Sequence, residues 1–210
     1  MKKTISANIY GFVFMAIFTL VMTSCQKEKS VSNDTANAQM NINTNPNAIP
    51  EPTLCSPIPS ILNIPEGNRF FLQTFARGVQ IYQVRRSATD PNVFSWVNIA
   101  PFATLYAKPN FVDPVINHFA GPSWEFIKGP DKGERIVGTK MQGVTQDLTA
   151  IQWLSLKAVD SLSTPGNRVT FVQRICTHGG LAPTIIANEA NLGQLDSIPY
   201  TASYLFYTRN

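Results

Sequence analysis

The sequence has little charge, and no segment accumulates charge of one sign. Charged residues make up 14% of the 210 positions. The formal net charge of +4 falls to near +2 once Lys2 and Lys3 are removed with an N-terminal signal. Arg85-Arg86 is the one basic doublet beyond the N-terminus. Nucleic-acid recognition depends on a basic patch or stripe, so the composition argues against a nucleic-acid partner.

Motifs of nucleotide, nucleophile and metal sites are also missing. The chain has no Gly-x-Gly-x-x-Gly fingerprint, and the serine in Gly121-Pro122-Ser123-Trp124 lacks the second glycine of a nucleophile elbow. The segment 133–140 ends in Thr-Lys, the reverse of the order in a phosphate-binding loop. The two histidines, His118 and His178, stand far apart in sequence. The sequence therefore predicts no cofactor and no metal site.

Cysteine is scarce as well, with three residues at positions 25, 55 and 176. If Cys25 is modified, Cys55 and Cys176 remain, and outside the cytoplasm such a pair is a candidate disulfide. The alternative is two free thiols, buried or partly exposed, because spacing alone does not fix a pairing.

The N-terminus has the sequence pattern of a secretory signal peptide. Residues 1–24 combine Lys2 and Lys3 with the apolar run 11–22, which is short for a bilayer span. Met22-Thr23-Ser24-Cys25 resembles the bacterial lipobox, which implies cleavage before Cys25 and lipidation of that residue. Residues 26–29 partly resemble a surface-export signal of one group of Gram-negative bacteria. We therefore expect a cell-envelope protein, lipid-anchored to the outer membrane on its periplasmic or surface face. An ordinary signal peptide or signal anchor is the alternative.

Residues 25–60 differ in composition from the rest of the chain. They are rich in Asn and Pro and almost free of aromatic residues, so they bury too little apolar surface to offset ordering entropy. This predicts a lipidated Cys25 followed by a flexible tether. Residues 61–210 are sufficient for one ordinary core and are expected to form a single domain.

Alternating polar and apolar residues indicate strands in this domain. The clearest runs are 94–100, 168–177 and 200–208, with further candidates at 69–74, 78–85, 104–107, 125–128, 135–144 and 151–158. Turn signals such as Asp90-Pro91-Asn92 separate them. The pattern predicts an all-β domain, an antiparallel β-sandwich or small barrel of about 8–10 strands. Short helices are expected at most at 150–153 or 189–195.

The segment 118–126, HFAGPSWEF, offers the best candidate site. If the chain reverses at Gly121-Pro122, His118 and Glu125 meet as a general base or half of a metal site. The alternatives are a ligand pocket containing His118, Trp124 and Glu125, or a buried histidine bonded to backbone with Trp124 in the core. In Thr177-His178-Gly179-Gly180, the glycines predict positive φ. Thr177, Gly179 and Gly180 are also candidates for a ligand-binding backbone nest.

These candidates lead to three functional hypotheses. A binding protein for a small molecule or carbohydrate is expected to have an aromatic-lined depression that contains Trp124, with Trp96 or Tyr82 as optional further members. A hydrolase-like or metal-dependent enzyme requires His118 to converge with Glu125 or His178. An envelope-structural protein requires Trp96, Trp124 and Trp153 all packed inside. The sequence favours a binding or structural role over catalysis, and it leaves the oligomeric state open.

Four blocks in order resemble a known family. They are GVQIY at 78–82, HFAGPSWE at 118–125, VQRICTHGGLAP at 172–183 and YTASYLFY at 200–207. The domain thereby resembles a family of secreted bacterial and fungal proteins classed as a domain of unknown function. The resemblance implies an extracytoplasmic domain and no established activity, substrate or cofactor. Members of that family carry cysteines near position 84 and after the Ala-Pro block, so it implies that a disulfide here is a different one.

Overall fold

The computed structural model describes residues 54–159, 162–164 and 167–210. The expected signal peptide 1–24, the lipidation site Cys25 and the tether up to residue 53 lie outside the described residues. Across the described ranges, no helix has the length and apolar character that crossing a bilayer requires.

Eight antiparallel strands form the domain, each paired with its neighbour in sequence, and the last pairs back with the first. This confirms the all-β prediction, and of the two predicted architectures the structure has the closed barrel. The strands are β1 Asn68–Arg86, β2 Phe94–Tyr106, β3 Pro114–Phe119, β4 Ser123–Phe126, β5 Arg135–Val144, β6 Trp153–Ala158, β7 Val169–Gly179 and β8 Leu195–Arg209.

The barrel interior is the main core, and β8 illustrates how the sequence builds it. Tyr200, Ala202, Tyr204 and Phe206 recur every second residue and are all buried among apolar side chains of the other strands. This period of two is the geometry of a strand with one face on the core. Toward one end, Phe126 packs against Phe206 with ring centroids 6.1 Å apart. That end of the barrel is filled by side chains.

A second, smaller core lies on the outside of the barrel, beneath the segment that precedes β1. Leu62, in a 3-10 turn at Ser60–Leu62, is fully buried against Trp153, Ile175 and Leu205. The side chain of Gln173 donates to the Leu62 carbonyl at 2.7 Å. The residues around 58–62 therefore belong to the folded domain.

A disulfide joins this N-terminal segment to β7. It links Cys55 to Cys176, with their Cα atoms 5.8 Å apart. Cys176 has a positive φ of 51° and lies in an irregularity where β7 and β8 lose simple register between Ile175 and His178. The bond thus fixes the N-terminal segment to an irregular part of a core strand.

Three strands continue past the barrel at the opposite end from the Phe126–Phe206 contact. Residues 94–102 of β2 and 195–199 of β8 pair only with β1 and form a three-stranded arm. The β7–β8 connection packs on this arm, where Trp96 donates its indole N–H to the Ile185 carbonyl at 2.7 Å. A 3-10 turn at Glu189–Asn191 stands where a short helix was expected. No helix forms at 150–153, where β6 begins with Trp153.

Candidate functional site

The end of the barrel that carries the arm is open and holds a cavity of about 460 Å³. The volume lies in the range of small-molecule sites. The side chains that line it fall into aliphatic, aromatic, neutral polar and cationic groups. They include Ile99, Ile151, Leu154, Leu156, Leu181, Tyr82, His118, Trp124, Tyr204, Gln80, Asn98, Gln152, Lys140 and Arg174. None of the described residues that line it is Asp or Glu.

His118 and Trp124 form an aromatic wall of this cavity. The turn at residues 120–122 places them opposite each other on β3 and β4, and their rings stack with centroids 4.7 Å apart and planes 4° from parallel. Tyr204 meets the imidazole edge-on at 5.3 Å. The hairpin expected at Gly121-Pro122 is therefore present, and the partner of the imidazole across it is the indole.

The His118 imidazole is neutral at physiological pH. Burial lowers its pKa from 6.5 to about 3, against the opposing effect of a hydrogen bond between Nδ1 and the Ser123 carbonyl at 2.8 Å. A carbonyl oxygen only accepts, so Nδ1 carries the proton and Nε2 is the unprotonated nitrogen. An imidazole with so low a pKa is a weak base near neutral pH.

Glu125 lies on the other face of the sheet. Trp124 and Phe126 point into the core, so the intervening residue points outward, where its strand neighbours are Asn117 and Arg135. His178, the second histidine, is exposed. The structure therefore brings neither Glu125 nor His178 to His118. Within the described ranges, no group of three His, Cys, Asp or Glu side chains is arranged to hold a metal ion.

Arg174 is the charged group that the sequence interpretation did not select. It projects from β7 on the inward face, opposite Leu154 and Tyr204. Its Nε and Nη2 donate to the Gln152 carbonyl at 3.1 and 2.9 Å, and its charge reaches the Tyr204 hydroxyl. The sequence signal for this residue is the position of Arg174 within the alternating run RVTFVQRICT, where a cation falls among apolar residues of a strand.

This guanidinium has no acidic partner within the part of the chain that the structure describes. The salt bridges found there join Arg86 to Glu189, Lys128 to Asp113 and Arg168 to Asp131, all away from the cavity. A second cation, Lys140 on β5, donates to the Gln152 side chain at 3.2 Å. Two cations thus converge on Gln152 at one side of the cavity with no carboxylate beside them.

Neutral hydrogen-bonding groups occupy another side. Tyr82 donates to the Gly180 carbonyl at 2.7 Å, and the hydroxyls of Tyr200 and Tyr204 lie 3.4 Å apart. Burial raises the pKa of Tyr82, Tyr200 and Tyr204, so all three remain protonated near neutral pH. Gln80 and Asn98 complete this side, joined by a 2.9 Å bond between their amides.

The predicted nest residues support the cavity from behind and do not line it. Thr177 donates its hydroxyl to the Ile151 carbonyl at 2.6 Å. Gly179 and Gly180 have φ of 66° and 79°, which confirms the predicted positive φ. A Cβ at Gly180 would lie 2.9 Å from that of Tyr200. These residues therefore hold Ile151, which lines the cavity, and Tyr200 in place.

The tryptophans divide among three environments. Trp124 is in the barrel core, Trp153 is buried in the outer cluster, and Trp96 is half-buried on the arm. Trp124 and Tyr82 line the cavity, as the binding hypothesis expects, while Trp96 does not.

Comparison with known proteins places most of the chain in one family. A family model described as "Protein of unknown function (DUF3455)" matches residues 65–208, which include every strand except the last residue of β8 and every residue of the cavity wall named above. No curated protein matches the chain. No solved structure matches it either.

Proposed function

The chain belongs to the DUF3455 family of proteins of unknown function, and from that premise we propose that its barrel is a binding protein for a small organic anion with an apolar body. The ligand occupies the open end of the barrel, and Arg174 holds its anionic group. A carboxylate is the expected anion, because a guanidinium offers it paired donors in a matching plane.

The uncompensated charge of Arg174 is the observation that carries this proposal. Arg174 is half-buried in the barrel mouth, so its guanidinium loses part of its hydration, and charges that lose hydration are normally paired. Here the partners of Arg174 are a carbonyl and a hydroxyl, and the second cation, Lys140, is drawn to the same residue, Gln152. An anion from outside the chain supplies the missing countercharge.

The remaining wall defines the body of the ligand. Leu154 and Leu156 from β6, Ile151 and the stacked His118–Trp124 pair present apolar and aromatic surface. A small ring or short aliphatic chain covers such surface at about 25 cal/mol per Å² buried. This favours an amphipathic acid over a carbohydrate, whose many hydroxyls need more neutral polar partners than this wall provides.

Matched acids and amides test the proposal. We expect the purified full-length chain to bind cinnamate more tightly than cinnamamide, by about 1.5–3 kcal/mol or 10- to 150-fold in Kd, since a charged hydrogen bond contributes that much. Arg174→Gln should remove the preference. Arg85→Gln removes a positive charge from an exposed position on the arm and should leave the preference for the acid unchanged. Equal affinities for acid and amide, measured by titration calorimetry, would contradict the proposal.

We also propose that this binding domain is lipid-anchored through Cys25 in the cell envelope. The support is the sequence pattern of residues 1–25 and the Asn- and Pro-rich tether that follows. Expression in a Gram-negative host should give a membrane-bound chain whose mass shows loss of residues 1–24 and addition of acyl chains. A Cys25→Ala variant should lack that mass. An unmodified wild-type Cys25 would contradict the proposal.

A further inference from the structure

We propose that the ligand carries a second polar group, an uncharged hydrogen-bond acceptor at the end remote from its anion, which the Gln80–Asn98 pair recognises. The ligand class is then a hydroxy- or oxo-carboxylic acid with an apolar body. This inference rests on the proposed function, because it assumes that the anion lies at Arg174.

The order of strands separates the two polar sides of the cavity. In a closed ring of eight, β1 and β5 are diametrically opposite, since three strands lie between them in either direction. Gln80 belongs to β1, and Lys140 belongs to β5. Arg174 on β7 is separated from β1 by β8 alone, so a ligand whose anion lies on the Lys140 side of Arg174 crosses the cavity before it ends against Gln80 and its partner Asn98 on β2.

Gln80 has an unused donor for such a group. The residue is only 4% exposed, and its Oε1 accepts from Asn98 Nδ2 at 2.9 Å, which fixes Nε2 as the free end of the amide. Nε2 approaches the Tyr200 hydroxyl but reaches no acceptor with hydrogen-bond geometry. Buried donors without a partner are few in native proteins, so this one calls for an explanation. A small amide rotation toward a ligand oxygen would satisfy it.

The wall between the two polar sides makes the recognition directional. β6, between the strands that carry Lys140 and Arg174, contributes only Leu154 and Leu156 to the lining, and Trp124 on β4 is stacked on His118. A neutral acceptor placed along this path meets apolar surface and loses its hydration. Other donors of the lining are the Gln152 amide, beside the two cations, and the Trp124 indole N–H, which also lacks a partner. An acceptor remote from the anion, at the β1–β2 side, meets the Gln80–Asn98 amides.

Isosteric acid pairs test this inference on the purified full-length chain. The first pair is 4-hydroxycinnamate and 4-methylcinnamate, and the second is trans-4-hydroxycyclohexanecarboxylate and trans-4-methylcyclohexanecarboxylate. We expect the hydroxy acid of at least one pair to bind about 5- to 10-fold more tightly, because one neutral hydrogen bond is gained. Gln80→Leu should abolish or reverse that preference while cinnamate still binds more tightly than cinnamamide. Gln83→Leu, a neighbour on the same strand outside the cavity lining, is the matched control and should retain both preferences.

The outcomes separate this inference from the proposed function. If methyl and hydroxy acids bind equally in both pairs while acids outbind amides, the acceptor inference is overturned and the anion site stands. If no acid shows Arg174-dependent binding, both are overturned. Should Gln80→Leu fail to fold, Asn98→Leu at an exposed position removes the bond that orients the amide. A hydroxyl preference that survives in Asn98→Leu would then overturn the inference.

Discussion

The buried imidazole of His118 should make the barrel acid-sensitive. In the unfolded chain this group takes up a proton near pH 6.5, and in the folded chain its pKa is about 3. Between these values the unfolded state binds more protons than the folded state, so lowering the pH favours unfolding. The stability that His118 contributes as a neutral group is complete above about pH 7 and is lost progressively toward pH 3.

The size of the effect follows from the separation of the two pKa values. Each pH unit below 6.5 removes about 1.4 kcal/mol from the free energy of unfolding, until the folded state also binds the proton. Relative to pH 8, the loss assigned to His118 is about 2 kcal/mol at pH 5 and about 3 kcal/mol at pH 4. These are large fractions of the stability of a small domain.

Urea unfolding at pH 8, 5 and 4 measures this contribution if wild type is compared with His118→Gln. The glutamine does not titrate, and its amide offers a donor for the Ser123 carbonyl. Carboxyl groups titrate in both proteins, so their effect cancels in the difference. The chain has one other histidine, exposed His178, and His178→Gln should behave as wild type. The reasoning is refuted if wild type and His118→Gln lose equal stability between pH 8 and pH 5.

Three further predictions concern the elements that support the site. Cys55→Ser removes a disulfide between residues 121 positions apart and should lower the free energy of unfolding by about 2–4 kcal/mol. The measurement is urea unfolding without reductant. An unchanged free energy of unfolding would mean that the bond does not constrain the unfolded chain. Leu62→Ala, at a fully buried position, should lower the free energy of unfolding by about 2–5 kcal/mol and make the segment before β1 sensitive to protease. An unchanged digestion pattern would show that the outer cluster does not hold this segment on the barrel. Gly180→Ala should lower the free energy of unfolding by about 1–3 kcal/mol more than Gly133→Ala does. Both glycines have positive φ, but only the methyl group added at position 180 meets packed side chains. Equal melting temperatures of the two variants would contradict this.

Much of the strand content could be predicted because the alternation of polar and apolar residues can be recognised directly in the sequence. The run 168–177 covers most of β7, Val169–Gly179, and 200–208 lies within β8. Residues 69–74 and 78–85, expected as separate strands, are parts of one strand, β1. Gly78, which suggests a break, is instead a point of close approach, where a Cβ would lie 2.3 Å from the Phe102 carbonyl oxygen. Close packing between strands is a tertiary contact that a single sequence does not display.

β2 was divided in the same way, at Pro101. Proline removes a ladder donor and is confined mostly to edge strands. Residues 94–102 pair only with β1, so this half of β2 has one open edge where a missing donor is tolerated. Sandwiches and barrels share the same alternation of inward and outward side chains. Closure of β8 onto β1 therefore could not be predicted from periodicity.

Some of the residues selected from the sequence line the cavity and others do not. His118, Trp124 and Tyr82 line the cavity, but Glu125 faces outward because the short turn at residues 120–122 sets His118 opposite Trp124. A shift of one residue in that register would have exchanged the two faces. Arg174 could not be selected from the sequence because its setting depends on Tyr204, its partner on β8, and on Gln152, which approaches from the loop before β6. Neither contact is visible along the chain.

The contrast between the two ends of the barrel favours binding over a purely structural role. An eight-stranded barrel has an interior just wide enough for side chains to fill or for one small ligand. At the end away from the arm, Phe126, Phe206 and Leu105 fill it. At the arm end, the inward positions carry Lys140, Arg174 and Gln80, whose polar groups face space that aliphatic side chains would close. A purely structural role does not account for a half-buried guanidinium without an acidic partner and a buried amide donor without an acceptor at this end. Residues that weaken a fold at one place are characteristic of functional sites, and Arg174, Lys140 and Gln80 all lie on the wall of a single cavity.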